Sequence, residues 1–403
     1  MTTRIAALIL VLPSALGAQD WPGWRGPKGD GTSAEKGFPV TWGPDRNVRW
    51  KTPIPGKGHS SPIVVGDRVF LTTCLEDTGE RRLLCLSAAD GRLLWQKEVL
   101  TSPLERKHKL NSFASSTPAS DGKHVWSAFL AQDRFHVFCH DLDANLVWKT
   151  SPGTFSSVHG FCSSPVLWKD TVIFNGDQDA DAWIVALEKA TGKERWRADR
   201  PNKTRSYVPP VIFELAGRPQ LVLSGSKCVA SYDPDTGEQI WLLDGPTEQF
   251  VASLVATQGV LFVTGGYPKH FLIGIKPDGK GNVTATHELW RDTKGVSYVP
   301  SPVAWGPHFY VVSDLGQASC LEAATGRRLW MEKLGRHHSA SIVAAEGRLY
   351  FLDDDGATHV VKAGAPFELL AKNEIGEEAY ASPALSRGRL FIRGAKHLFC
   401  IGE

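Results

Sequence analysis

The chain has 403 residues and a nearly balanced charge, 45 Lys plus Arg against 43 Asp plus Glu, for a formal net charge of +2. That balance offers no bulk attraction to nucleic acid or to an anionic membrane surface. With 39 glycines and 14 tryptophans against 2 methionines, the composition favours short strands joined by turns over packed helices.

At the N-terminus, Arg4 precedes an apolar run from Ile5 to Leu12, followed by Pro13 and the small residues SALGA. This order of a charged start, a short apolar core and a small-residue cleavage site near Gly17 or Ala18 predicts a signal peptide over 1–18. The run is too short to span a bilayer, no other stretch is apolar enough to do so, and no cysteine follows the cleavage region as a lipid anchor would need. The expected product is exported, to the periplasm or beyond, and soluble after cleavage. Residues 19–44 form an extended leader that opens WPGWRGPKGDG.

From 45 to 403 one unit recurs. Trp50, Trp95, Trp148, Trp196, Trp241, Trp290 and Trp330 each close a strand-like phrase, at intervals of 40 to 53 residues, a period that fits propeller blades. Eight openings alternate with them: SSP at 60–62, STP at 116–118, SSP at 163–165, VPP at 208–210, VASL at 251–254, SPV at 301–303, ASI at 340–342 and ASP at 381–383. Two alternating runs lie between each opening and its Trp, as in DRVFLTT and RLLCLS of the first unit. Gly, Asp and Asn turns separate them, which predicts four short antiparallel strands per unit. The last unit lacks its Trp strand, whereas VRWKTP at 48–53 is a Trp strand with no unit before it. Pairing the two predicts an all-β, eight-bladed β-propeller of four-stranded antiparallel blades, closed by an N-terminal strand that completes the last blade. In the seventh unit, FELLAKNEI, Leu370 stands where the Trp is expected.

The repeat also places cysteines. Cys85, Cys139, Cys320 and Cys400 fall in a third-strand slot that other units fill with Ala186, Ser231 and Gly274. A small buried slot suits a thiol, and equivalent slots in separate blades are too far apart for disulfides. Buried thiols are expected in preference to disulfides or a metal site.

The phrases Ala190-Thr191-Gly192 with Trp196, Thr236-Gly237 with Trp241, and Ala324-Thr325-Gly326 with Trp330 resemble the tryptophan-docking motif of the PQQ-like (quinoprotein-like) β-propellers. The resemblance covers nearly everything from about residue 45 onward. Its fold implication is a propeller with structural Trp joints. Two functions are implied: non-enzymatic scaffolds, such as the propeller of the bacterial outer-membrane β-barrel assembly machinery, and pyrroloquinoline-quinone (PQQ) dehydrogenases that oxidise alcohols or sugars with calcium. The dehydrogenases carry a vicinal Cys-Cys pair over the quinone and long inserted loops, and no two cysteines are adjacent here.

Candidate site residues cluster where each unit begins. His59, Phe113, His159, Tyr207, Phe250, Tyr298, His338 and Tyr380 enter the first strands, which line a propeller's channel, so they are expected to crowd one mouth. Rings there can stack on a planar or sugar-like ligand or simply plug the channel. Lys57, RKHK at 106–109, Lys203, Arg205, Lys294 and Arg336 make the same loops basic, with Glu377 and Glu378 as counterweight, which would draw an anionic ligand or solvate ordinary loops. The candidate ligand set is therefore Lys57, His59, His159, Arg205, Tyr207, Lys294, Tyr298, Arg336, His338 and Tyr380. Asp177, Asp179 and Asp181 alternate in GDQDADAW and supply part of a calcium site at most. No nucleophile elbow, zinc spacing or phosphate loop is present. The sequence thus predicts a monomeric, non-catalytic binding or scaffold module without a cofactor, whose partner is an envelope protein or an anionic ligand at the basic mouth. The alternative is a PQQ- and calcium-dependent dehydrogenase with the quinone held by Arg205, Lys57 or Lys294.

Overall fold

The computed structural model describes residues 20–403; the expected signal peptide lies outside the described residues. The chain forms eight antiparallel blades and, among the described residues, no helix. Blade one comprises Ile63–Val65, Arg68–Leu75, Glu80–Ser87 and Leu93–Thr101, paired in that order. Six more blades follow in sequence, and the eighth, Ala384–Ser386, Arg389–Arg393 and His397–Ile401, takes Val48–Pro53 as its outer strand. In that closure Trp50 lies opposite Cys400 and Lys51 opposite Phe399, so the ring is zipped by backbone pairing between the two ends of the repeat.

Burial explains why the strands differ in pattern. The second and third strands of a blade are sandwiched between neighbouring blades, so Thr171–Gly176 is buried at every position and Trp183–Glu188 at all but its last. Outer strands meet solvent on one side, and Leu93–Thr101 is mostly exposed. The cysteine slot has a further cause. Cys85 pairs with Trp95, Cys139 with Trp148, Ala186 with Trp196, Ser231 with Trp241, Gly274 with Trp290 and Cys320 with Trp330. The slot is small because an indole stands directly across from it. A β-bulge follows the pair in these blades, turning the Trp out of the blade toward its neighbour. All seven cysteines are free, and burial pushes the Cys85, Cys139, Cys320 and Cys400 thiols up to about 12.

Each turned Trp docks on the next blade. The indole N–H of Trp50 donates to Ala88 O at 3.2 Å, Trp95 to Leu142 O at 3.0 Å, Trp148 to Lys189 O at 2.8 Å, Trp196 to Pro234 O at 3.2 Å, Trp290 to Ala323 O at 2.9 Å and Trp330 to Gly364 O at 2.8 Å. Above four of these rings sits the turn glycine of the receiving blade. A Cβ added to Gly91, Gly192 or Gly237 would lie 2.5 Å from Trp50, Trp148 or Trp196, and Gly326 crowds Trp290 in the same way. These glycines also have φ between +69° and +78°. At these four joints the turn glycine of one blade is therefore the receptor for the Trp of the blade before it.

Two joints depart from the pattern. Trp241 donates to Gln220 Oε1 at 2.8 Å within its own blade, and Gln220 Nε2 passes the link to Pro277 O of blade five at 3.0 Å. In blade seven the register puts Ala371, not Leu370, in the Trp position, opposite Val360. The larger slot residue excludes an indole there. Trp42 takes over from outside the blade: it is buried in the same apolar cluster, stacked on Tyr350 at 6.4 Å, with its backbone N–H on Asn373 Oδ1 at 2.8 Å.

The segment before Trp42 closes one end of the channel. Trp21 exchanges two backbone hydrogen bonds with Val64 of blade one, and Pro22 O accepts from Ser120 of blade two. The Trp24 indole donates to Ser253 Oγ before blade five at 3.1 Å, and Arg25 to Pro302 O before blade six. Gly31 O accepts from Ala344, Thr32–Ser33 runs parallel to Ala344–Ala345 of blade seven, and Glu35 accepts the Arg387 N–H of blade eight. The segment packs on inner-strand ends and first-turn residues, so it lies across the end opposite the loops that enter each blade.

Replacing Gly192 by Ala should lower stability by about 2–4 kcal/mol, because positive φ and the Trp148 ring both oppose a side chain; denaturant melts of the variant check this. Trp42→Ala should cost about 3–5 kcal/mol through a cavity at the blade-seven joint, read as a lowered thermal midpoint with unchanged strand content.

Candidate functional site

At the open end of the channel, the loops entering the blades and the turns between second and third strands surround a cavity of about 320 Å³. Five of the ten candidate ligand residues line it: His59, His159, Tyr207, Tyr298 and Tyr380. Trp24 from the N-terminal segment is part of its wall and also part of the wall of a second cavity of about 220 Å³, lined by that segment and the inner strands of blades two to four. Trp24 thus borders both cavities where the N-terminal segment crosses the channel, and the open mouth forms a funnel.

Each lining ring has a local reason for its position. His59 is fixed by its backbone N–H on Ala114 O at 3.1 Å, and its ring lies 5.0 Å from that of Tyr380. His159 sits between His108 at 5.2 Å and Tyr207 at 6.0 Å. Tyr207 OH meets Ser157 Oγ at 3.2 Å, and Tyr380 OH donates to Glu378 Oε2 at 3.0 Å. Tyr298 is held from behind, its backbone N–H on Asp314 Oδ2 at 2.7 Å, with the Val299 N–H on the other carboxylate oxygen at 3.1 Å. Burial, with help from the charges of Arg393 and Lys107, pushes the His59 imidazole down to about 4. Burial and then Arg205 lower His159. Burial raises the Tyr207 and Tyr298 phenols, Tyr298 to about 12. At neutral pH these groups carry no charge.

The other five candidates lie apart from the lining. Lys57 is exposed and pairs with Glu76 at 2.7 Å. Arg205 is committed to Asp179 at 2.9 Å. Lys294 and Arg336 are exposed on the surrounding loops. His338 is buried beneath the loop, where desolvation and then the nearby His359 push it down to about 3. Phe250 is buried in the core shared by blades four and five, and Phe113 receives Lys107 on its face at 5.0 Å. No Lys or Arg belongs to the funnel lining, and Asp314 is its one carboxylate. The basic character read from the loops belongs to a rim rather than to the cavity.

The alternating aspartates separate as well. Asp177 is fully buried against Arg200 at 2.8 Å, Asp179 meets Arg205, and Asp181 meets Lys203 at 2.6 Å. Each carboxylate faces its own cation, which takes the oxygens a calcium ion would need. Asp353 and Asp354 cap turns, on the Ala357 N–H at 2.8 Å and the Ser339 N–H at 2.7 Å. Among the described residues no group of three or more His, Cys, Asp or Glu converges on a metal-sized space.

Sequence reasoning missed Trp24, His108 and Asp314 as lining residues. His108 sat inside a run read only for charge, and Trp24 in a segment whose destination no local pattern reveals. Asp314 offered no signal, being one of many turn aspartates.

A quinone with three carboxylates would need cations inside the funnel, and calcium would need unspent carboxylates beside it. The lining supplies neither, and all seven cysteines are free. These residues do not fit that cofactor.

Comparison with known proteins follows the fold. A family described as outer membrane protein assembly factor BamB matches residues 40–134, 102–267 and 279–365, well over half of the chain. The outer membrane protein assembly factor BamB of Shewanella oneidensis is 24% identical over 223 residues, covering 52% of this chain and 53% of that protein. The match thus spans about half the length of the curated relative. Among solved structures, BamB from Moraxella catarrhalis superposes with a TM-score of 0.59 at 12% identity, over 87% of this chain and 98% of that one. Quinohemoprotein alcohol dehydrogenase from Comamonas testosteroni superposes with a TM-score of 0.68 at 11% identity, over 95% and 80%. At such identities the solved structures speak for the fold alone. The family match carries more: this chain belongs to the PQQ-like β-propeller family that bears the description of BamB.

Proposed function

We propose that this chain is an exported, non-catalytic scaffold of the cell envelope that docks a partner protein on the loop face surrounding the funnel. The observation that carries the reading is the content of the funnel: uncharged rings and hydroxyls, no cation, and one carboxylate already spent on backbone N–H groups. Such a wall does not suit the quinone and calcium of the dehydrogenase branch. The relative from S. oneidensis is named an outer membrane assembly factor, which supports an envelope partner.

The loop face has the make-up of a docking surface. Leu104, Leu110, Val158, Tyr267 and Leu315 are exposed there, Leu110 and Leu315 by more than 60%. Arg106, Lys109, Lys294 and Arg336 stand among them, all exposed. Apolar side chains ringed by cations favour an acidic partner with an apolar patch of its own. Arg205 is unsuited as a probe of this surface, because Asp179 already neutralises it.

Two measurements test the reading. Titration of the full chain with PQQ and calcium should give no bound-quinone absorbance at micromolar quinone, and saturable binding with dye reduction by alcohols or sugars would overturn the non-catalytic assignment. Capture from envelope fractions should return a defined acidic protein, weakened at least about ten-fold by combined Arg106→Glu and Arg336→Glu. Unchanged capture by that folded variant would overturn the choice of face.

A further inference from the structure

The funnel differs in composition from its rim, with aromatic rings and hydroxyls in place of exposed cations. Its wall is built by different blades, so its aromatic faces are spread around a space of about 320 Å³ rather than closed into one tight cage. That space corresponds to roughly ten water molecules, enough for a mono- or disaccharide-sized ligand. The ring faces come from Trp24, Tyr207, Tyr298 and Tyr380. Between them stand hydroxyls whose protons are spent inside the wall, Ser115 on Asn111 Oδ1 at 2.7 Å, Ser339 on Asp354 Oδ2 at 3.1 Å and Tyr380 on Glu378 Oε2 at 3.0 Å. Their oxygens remain as acceptors, while the imidazoles of His108 and His159 supply donors.

The tautomer of one imidazole is set by its neighbour. His108 Nδ1 accepts the Leu110 N–H at 3.2 Å, so its proton sits on Nε2 as a donor. The adjacent His159 ring makes no hydrogen bond that holds its nitrogens within the described residues, and it leaves one donor and one acceptor available in its neutral form.

Electrostatics exclude charged ligands of either sign. An anion entering the funnel would be stripped of water against a wall without a Lys or Arg and beside the Asp314 carboxylate, a costly transfer. A cation would find a single carboxylate, Asp314, already spent on the Tyr298 and Val299 N–H groups. What remains is an uncharged molecule that offers C–H faces to aromatic rings and hydroxyls to these acceptors and donors. A purely apolar ring would match the faces and waste the hydroxyls and imidazoles.

We propose that the funnel is a binding site for a neutral saccharide, stacked on Tyr298 and Tyr380 above Trp24 and hydrogen-bonded by the His108–His159 pair. This inference goes beyond the rim docking proposed above and stands on different residues, so either can fail alone.

The test is a glycan array of the full chain carrying neutral, uronate-containing and sulfated oligosaccharides, followed by calorimetric titration with the best neutral hit, with choline and indole as small cationic and aromatic probes. Binding of a neutral glycan is expected, with a Kd below about 1 mM. Tyr298→Ala and Tyr380→Ala should each weaken it at least about ten-fold, while Tyr298→Phe and Tyr380→Phe, which keep the ring and the packing, should weaken it less. Raising the salt concentration should leave the affinity unchanged, since no charge is engaged. A preference for acidic glycans, binding of choline or indole alone, no glycan bound at all, or a neutral-glycan affinity untouched in the folded Tyr298→Ala and Tyr380→Ala variants would overturn the proposal. Arg106→Glu with Arg336→Glu should leave glycan affinity unchanged, which separates this result from the fate of the protein-docking reading.

Discussion

The docking of one indole on a turn of the next blade is the interaction on which everything else rests. A four-stranded blade cannot bury both of its faces alone, so it is stable only in a ring of neighbours. The Trp joint sets the angle between those neighbours. It uses a small residue across from the indole, a bulge to swing the ring outward and, at four of the joints, a glycine with positive φ to receive it. Each of these appears as a separate residue type in the sequence, and each is explained by the same ring. The cysteines are a by-product of this joint: they fill the space an indole leaves, and burial makes their thiols poor nucleophiles.

Closure imposes the second constraint. The final blade borrows its outer strand from Val48–Pro53, so both ends of the repeat are held in one sheet. The segment running from Trp21 to Trp42 adds a brace of a different kind, since its contacts reach blades one, two, seven and eight and the entries to blades five and six. It closes one end of the channel and supplies Trp42 to the single joint whose own outer strand has no indole. A pore between eight blades becomes a cavity with a floor.

That floor is what gives the open face its chemistry. A through-channel would be wet and accessible from both ends, whereas burial around the closed one pushes the His59 imidazole down and the Tyr298 phenol up. Charge is displaced outward, to loops where Lys57 meets Glu76 and Arg205 meets Asp179. Rim and funnel therefore differ in electrostatic character, the one charged and the other lined by uncharged groups apart from Asp314.

The fold was legible in the sequence because the joint repeats: seven tryptophans at blade spacing, with glycine turns and small slots at fixed offsets, state the blade and its neighbour contacts in local terms. The aromatic lining was half legible for the same reason, since residues at the start of a first strand must approach the axis, and His59, His159, Tyr207, Tyr298 and Tyr380 do. His338 failed that rule because its loop folds it beneath the surface rather than over the mouth. Partnering could not be read, because whether Arg205 is available depends on Asp179, 26 residues earlier and in another loop. Nor could the path of the N-terminal segment, whose contacts lie up to 352 residues away in sequence. Local periodicity determined the blade, its count and its closure; only the tertiary structure decided which charges were already paired and which segment sealed the channel, because those outcomes depend on contacts between parts of the chain that share no repeat.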